Sequence, residues 1–263
     1  MIDHLIQAAL AAGAEIMAVH AGMTAGDVRR KSDGSPVTQA DERAEAVILA
    51  ALAIIAPDVP VVAEEQASAG NIPDTPARFW LVDPLDGTRE FVNGSLDFTV
   101  NIALIEGGVP VVGVVFVPGT GALYVGDASG ARMTDVPDGD WRPIHVVKPD
   151  ASALRVFASR SHLSPETRDF IGQFAVAEMI SAGSSLKFCK LAAGEADLYP
   201  RLGRTMEWDT AAGDAILRAA GGRVLTMDGQ PLTYGKRNQA DDSDFANPWF
   251  VATGPFEPFG PKA

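Results

Sequence analysis

A chain of 263 residues that is 47% hydrophobic and 21% charged can bury a substantial core, and its single cysteine, Cys189, excludes an intramolecular disulfide. Its 34 acidic against 21 basic residues leave a formal charge of −13, which opposes binding to polymeric nucleic acid, where affinity rests on Lys and Arg contacts to phosphate. No run reaches the roughly 20 uninterrupted apolar residues of a membrane span, and Asp3 and His4 stand where a signal peptide carries basic residues, so the cytoplasm is the expected location.

Leu5, Ala9, Ala12, Ile16 and Val19 recur at helical spacing and predict a first helix from Ile2 to about Ala21. A polar stretch from Gly26 to Pro36 precedes a second helix, Thr38 to about Ala56, which opens on the capping pattern Thr38-x-x-Asp41 and is followed by Pro57. Val59 to Ala63 and Phe79 to Val82 are short apolar runs bounded by turn residues and read as buried strands. Thr99 to Ile105 and Val109 to Val117 flank Gly107-Gly108, a hairpin signal, and Leu123 to Gly126 continues the meander. The stretch from Gly130 to Pro149 is rich in Pro, Asp and Gly and suggests a division into residues 1–140 and 141–263.

Beyond it, Arg155 to Ala158 reads as a strand, and Ser164 to Phe174 and Ser184 to Ala193 as helices. A further helix, from about Asp209 to Ala220, stops at Gly221-Gly222. Blocks of helices and strands predict an α+β fold of layered helices and sheets, at least one of them mixed or antiparallel.

Two of the strands end on acid, the first running into Glu64-Glu65 and the second into Asp83. Ligand sites of α/β sheets lie beyond the carboxyl ends of strands. Asp83-Pro84-Leu85-Asp86-Gly87 then offers two carboxylates around a restricted proline, with the Leu85 carbonyl between them and a glycine to turn the chain. Oxygen donors of this kind suit a hard cation such as Mg²⁺. Each acid alone has a plainer reading. Asp-Pro-x-Asp-Gly is also a common turn, Glu64 a surface acid, and Asp209 a helix cap.

Taken together, Asp83-Pro84-Leu85-Asp86-Gly87-Thr88, the segment Trp208-Asp209-Thr210-Ala211-Ala212-Gly213 followed by Gly221-Gly222, and Val62-Ala63-Glu64-Glu65 resemble the signatures of the inositol monophosphatase superfamily. The likeness extends from the first helix to about residue 250. It implies that family's fold, antiparallel and mixed sheets sandwiched between helices in an αβαβα order. It also implies a Mg²⁺-dependent phosphomonoesterase in which Glu64, Asp83, Asp86, Asp209 and the Leu85 carbonyl hold metal. Thr88 and Asp41 match the pair that positions the attacking water, and the Gly87 and Thr88 amides would face the phosphate. The first part of the chain would then carry most metal ligands, and the second would close the site.

Asp83 to Phe91, Ser159-Arg160-Ser161-His162, Gly183 to Cys189, Leu198 to Gly203 and Phe245-Ala246-Asn247-Pro248 are most similar to the bisphosphate-nucleotidase branch of that superfamily. By that resemblance His162, Ser184, Lys187 and Arg201 contact a small-molecule nucleotide bisphosphate. The expected reaction is hydrolysis of adenosine 3',5'-bisphosphate to AMP and phosphate, with 3'-phosphoadenylyl sulfate as a second substrate. A role in sulfur assimilation and sensitivity to Li⁺ follow from the same likeness. Chemically, Lys187 and Arg201 are cations available to a second phosphate, though Lys187 alone also reads as a solvated helix lysine. Arg89 stands where the branch usually has Lys, and Glu207 would add negative charge near the site, which speaks against a polyanionic substrate. An inositol- or sugar-phosphate phosphatase on the same scaffold, or a catalytically silent metal- or nucleotide-binding protein, are the alternatives. Peripheral attachment to the inner membrane and the oligomeric state stay open.

Overall fold

The computed structural model describes residues 1–22, 28–30, 36–136, 139–158 and 164–259. Apolar residues at helical spacing build α1 (Ile2–Gly22) and α2 (Gln39–Ile55), which pack together through Leu5, Ala9, Ala12, Ile16, Ala44, Ile48 and Leu52, all buried. A short antiparallel pair, β1 (Arg29–Arg30) and β2 (Pro36–Val37), lies between them in the chain. The expected capping box opens α2: Ala40 N–H donates to the Thr38 hydroxyl at 3.1 Å, and Thr38 N–H donates to the Asp41 carboxylate at 2.8 Å. By length and composition α1 is apolar enough to cross a membrane. Its apolar stripe is spent instead on α2 and the adjacent sheet.

That sheet has seven strands in sequence order: β3 (Val61–Ala63), β4 (Arg78–Asp86), β5 (Thr99–Glu106), β6 (Val109–Val117), β7 (Ala122–Asp127), β8 (Gly130–Asp135) and β9 (Arg142–Ile144). Only β3 and β4 run parallel; the others form an antiparallel meander. Two short helices, α3 (Glu64–Ser68) and α4 (Thr88–Val92), follow β3 and β4 at the site. Side chains alternate across the sheet as the pleat requires. Trp80, Val82, Val100, Ile102 and Leu104 face α1 and α2, whereas Phe79, Leu81, Ala103 and Ile105 face the second half of the chain.

The second half supplies β10 (Leu154–Phe157), α5 (Pro165–Ile171), β11 (Val176–Ile180), α6 (Leu186–Ala192), β12 (Leu198–Arg201), α7 (Glu207–Ala219), β13 (Arg223–Thr226) and β14 (Phe250–Thr253). Its five strands form a mixed sheet in the order β11-β10-β12-β14-β13. Helices α6 and α7 fill the space between the sheets, and α5 covers the far side of the smaller one, giving the layers αβαβα.

Glycines set how close α7 can come: a Cβ on Gly113 would overlap the Ala212 carbonyl, and one on Gly126 would sit 2.5 Å from Ile216 Cα. The Pro- and Gly-rich stretch after residue 130 contains β8 and β9 of the first sheet, so the sheets part between Ile144 and Leu154. Strand β11, with its exposed Ala177 and Glu178, had no clear sequence signal.

Candidate active site

Strands β3 and β4 pair as far as Ala63 opposite Val82, so Glu64 and Asp83 come side by side where that pairing ends. Asp83 accepts Leu85 N–H at 3.0 Å and shares a hydrogen bond with Glu64. Residues 83 and 86, an odd number apart, would point to opposite faces of a regular strand. The register between β4 and β5 instead slips here, pairing Asp83 with Asn101 and Asp86 with Thr99, so that three steps on one strand answer two on the other. This bulge turns both acids to one face. Gly87, at φ +93°, then bends the chain into α4 in a conformation that costs glycine nothing.

The third wall is the start of α7. Asp209 sits in its first turn and accepts Met206 N–H at 2.8 Å, so the capping role and a place in the site coexist. Behind it, Asn247 donates to Met206 O at 2.8 Å and to the Thr210 hydroxyl at 3.0 Å, pinning the helix entrance. Glu45 of α2 performs a similar service for Glu64 by accepting Glu65 N–H at 2.8 Å and Gln66 N–H at 3.1 Å at the start of α3.

These acids interact strongly. Burial first, and then repulsion from Glu64, Asp86 and Asp209, hold the Asp83 carboxyl well above the usual range. Burial, followed by Asp86 and Glu64, does the same to Asp209, with Arg201 opposing. Asp86 is raised less, because the Ser184 hydroxyl (2.8 Å), Lys187 and the Ser185 N–H (2.6 Å) offset its burial. Among the described residues no three His, Cys, Asp or Glu side chains stand as a ready-made metal cluster. Like charges resist such convergence, and a divalent cation is what would offset it. The donor set, four carboxylates and the Leu85 carbonyl, is all oxygen and fits a hard cation.

Beside this group lies a second arrangement. The Thr88 hydroxyl reaches Asp41 Oδ1 at 3.0 Å and Leu85 O at 3.3 Å. Asp41 Oδ2 is occupied by the Thr38 N–H and hydroxyl, both at 2.8 Å, which leaves Oδ1 to Thr88. Burial raises the Asp41 carboxyl, with Glu64 adding to the effect and the hydrogen bonds opposing it.

Among the residues expected to meet substrate, Ser184 turns its hydroxyl into the acid cluster, with Asp86 and Thr99 as partners. Lys187 donates to Ser184 O at 2.9 Å and lies over the Tyr199 ring. Arg201 is exposed at the end of β12, with one bond to Arg204 O at 3.2 Å. His162 lies outside the described residues. The charge expected from Glu207 does not reach the site. That carboxylate is fully buried, accepts the Gly235 and Lys236 N–H groups at 2.6 and 2.9 Å and pairs with Lys236 Nζ at 2.7 Å. Glu45, Thr99 and Asn101 were not legible as site residues, since each reads as an ordinary helix or strand residue, and Ser185 was marked only by the resemblance of Gly183 to Cys189. Asn247 falls in Phe245-Ala246-Asn247-Pro248, where resemblance was the only signal.

The family model described as the inositol monophosphatase family matches residues 1–251. The 3'(2'),5'-bisphosphate nucleotidase CysQ of Escherichia coli (strain K12) is 43% identical over 250 residues, covering 95% of this chain and 98% of that protein. Its counterpart from Salmonella typhimurium is 44% identical over 253 residues, 96% and 99% of the two chains. Among solved structures, CysQ from Bacteroides thetaiotaomicron superposes with a TM-score of 0.76 at 36% identity, covering 97% of each chain. The inositol monophosphatase from Anabaena gives 0.73 at 28% identity over 95% and 89% of the two chains. A match that takes in both strand-end acids, the bulge and the entrance of α7 leaves one conclusion: the chain belongs to the inositol monophosphatase family.

Proposed function

We propose that this chain is a Mg²⁺-dependent 3'(2'),5'-bisphosphate nucleotidase that converts adenosine 3',5'-bisphosphate to AMP and phosphate. The observation that carries the reading is the flanking of one acid cluster by two cations: Lys187 bears on Asp86 and Arg201 on Asp209. A bisphosphate needs one phosphate at the acids and compensation for the other, and an unpaired phosphate in a partly desolvated cleft would be costly. The relatives named 3'(2'),5'-bisphosphate nucleotidase support the same choice.

Glu64, Asp83, Asp86, Asp209 and the Leu85 carbonyl would hold the metal. Bound Mg²⁺ supplies neutralisation of phosphate oxygens and acidification of water. The chain's own contribution begins with Thr88. With its proton directed at Asp41 Oδ1, the Thr88 oxygen keeps a lone pair to accept from the attacking water and orient it. Asp41, fixed from behind by Thr38, holds that hydroxyl in place. Lys187 and Arg201 would bind the phosphate that does not react, Arg201 by its forked guanidinium. Ser184 holds Asp86 and borders the same cleft, and His162 completes the proposed substrate contacts. The amides of Gly87 and Thr88 are proposed donors to the reacting phosphate.

A panel of adenosine 3',5'-bisphosphate, 3'-phosphoadenylyl sulfate, inositol 1-phosphate and a sugar phosphate, assayed by phosphate release with Mg²⁺ or EDTA, tests the reading. The first two are expected to show the highest kcat/KM, with EDTA abolishing turnover and Li⁺ inhibiting it. Preference for inositol 1-phosphate would reject the nucleotidase reading while leaving the family intact. Binding without any turnover would identify a silent binding protein. The proposed compartment is the cytoplasm, and flotation with anionic vesicles would expose a peripheral membrane contact.

A further inference from the structure

The strand that faces the acids changes character partway along its length. On one face of β5, Ile105 and Ala103 pack in the core between the sheets, but the next two residues on that face are Asn101 and Thr99, both buried. Asn101 is only 1% exposed and is the ladder partner of Asp83. Directly opposed residues of an antiparallel pair hold their Cβ atoms about 4.5–5.5 Å apart, so the amide and the carboxylate are immediate neighbours.

The two ends of the Asn101 side chain differ in their bonding. Its Oδ1 accepts the Ser185 hydroxyl at 2.6 Å, and Ser185 in turn gives its backbone N–H to Asp86 at 2.6 Å. Its Nδ2 has no hydrogen-bond partner among the described residues. The other described buried side-chain atoms in that condition are Trp80 Nε1, on the face toward α1 and α2, and Arg223 Nε on β13. Neither is next to the acids. A buried donor left unpaired carries a standing free-energy cost, and buried polar groups in folded proteins are nearly always satisfied. An amide is also the neutral choice at this position, because a fifth carboxylate would add to the repulsion already acting on Asp83.

We propose that Asn101 is a positioning residue of the acid cluster: its carbonyl fixes Ser185, and so Asp86, while its unpaired amide donates to an oxygen of the cation-loaded site beside Asp83. This rests on the metal-binding reading given above. Residues that orient the ligands of a metal commonly change its affinity about 10- to 100-fold when replaced. The effect should have a signature that a packing role lacks. Removing the orphan donor relieves a cost in the protein held in EDTA, and removes a contact only when cation is bound.

The test uses the whole chain and its Asn101→Leu and Asn101→Thr variants, with Mg²⁺ alone as the probe. Leucine has the heavy-atom count and branching of asparagine, with methyl groups bulkier than the amide, and Ser185 keeps a hydroxyl partner in Thr99 at 2.8 Å. Thermal unfolding in EDTA and calorimetric titration with Mg²⁺ are measured on each. The expected result for Asn101→Leu is a melting temperature in EDTA equal to or above the parent's, with Mg²⁺ bound about tenfold or more weakly. Threonine, which suits a strand and retains a donor, should recover most of the affinity. A lower melting temperature in EDTA with Mg²⁺ affinity within about twofold of the parent would overturn the proposal and assign Asn101 to packing. If the leucine variant does not fold, Asn101→Ala is read by the same two measurements. Failure of the parent itself to bind Mg²⁺ would overturn the metal reading, an outcome distinct from full retention of affinity by the variants.

Discussion

Replacing Arg201 by alanine separates recognition of the second phosphate from everything else the site does. The side chain is exposed and, among the described residues, its one hydrogen bond is to Arg204 O at 3.2 Å, the outer end of the usual range. Truncation therefore leaves no buried charge behind, and stability should change by no more than about 0.5 kcal/mol. A charged hydrogen bond to phosphate contributes roughly 1.5–3 kcal/mol, which corresponds to about a 10- to 150-fold loss in binding.

Arg201 also opposes the upward shift of Asp209, so a small loss common to all substrates is expected as well. The informative quantity is then a difference between substrates. Adenosine 3',5'-bisphosphate and 3'-AMP share the base and the scissile phosphate, and only the former carries the 5'-phosphate. Steady-state rates for both, on parent and Arg201→Ala, give the coupling between side chain and phosphate. The KM for the bisphosphate should rise by the factor above, while that for 3'-AMP changes little. Equal losses on both substrates, or a melting temperature lowered by several degrees, would refute the argument.

Thr88→Ala should lower kcat by about a hundredfold or more while leaving the Mg²⁺ titration near parental, because its hydroxyl orients water and holds no charge. Equal loss of metal affinity and rate would instead make Thr88 a support of the ligands. The pH dependence of stability has a defined sign. Asp83 and Asp209 are raised in the folded chain, so the folded state binds more protons than the unfolded one above the ordinary carboxylate range, and in EDTA stability should fall as pH rises through the raised values. Mg²⁺ favours the ionised acids, so its stabilising increment should grow over the same window. Melting curves of the parent and Asp83→Asn, with EDTA and with Mg²⁺, check this, since the variant should lose much of the slope. Burial pushes the Cys189 thiol up and no solvent reaches it, so the native protein should resist a disulfide reagent that reacts stoichiometrically once the chain is unfolded.

Local sequence determined a good part of this molecule. Helical spacing in residues 2–21, the Thr38–Asp41 capping box and the Gly107-Gly108 hairpin each depend on neighbours within a few residues, and each is realised where the sequence places it. The acids were legible for the same reason: Glu64 and Asp83 terminate apolar runs, and Asp86 is bound to Asp83 by a short turn. Pro84 and Gly87 also marked Asp83 and Asp86 as able to converge on one point, but the sequence did not show what the convergence of all four acids needs. That convergence requires the β4–β5 register to slip between Asp83 and Asp86, and it requires α7 to lie directly on the sheet where Gly113 and Gly126 offer no side chain. Glu207 illustrates the same limit. Two residues from Asp209 in sequence, it faces the other way and is neutralised by Lys236, a partner 29 residues on. Asn101 and Ser185 stand 84 residues apart, and only the packing of the two sheets around α6 and α7 makes them a pair beside Asp83 and Asp86.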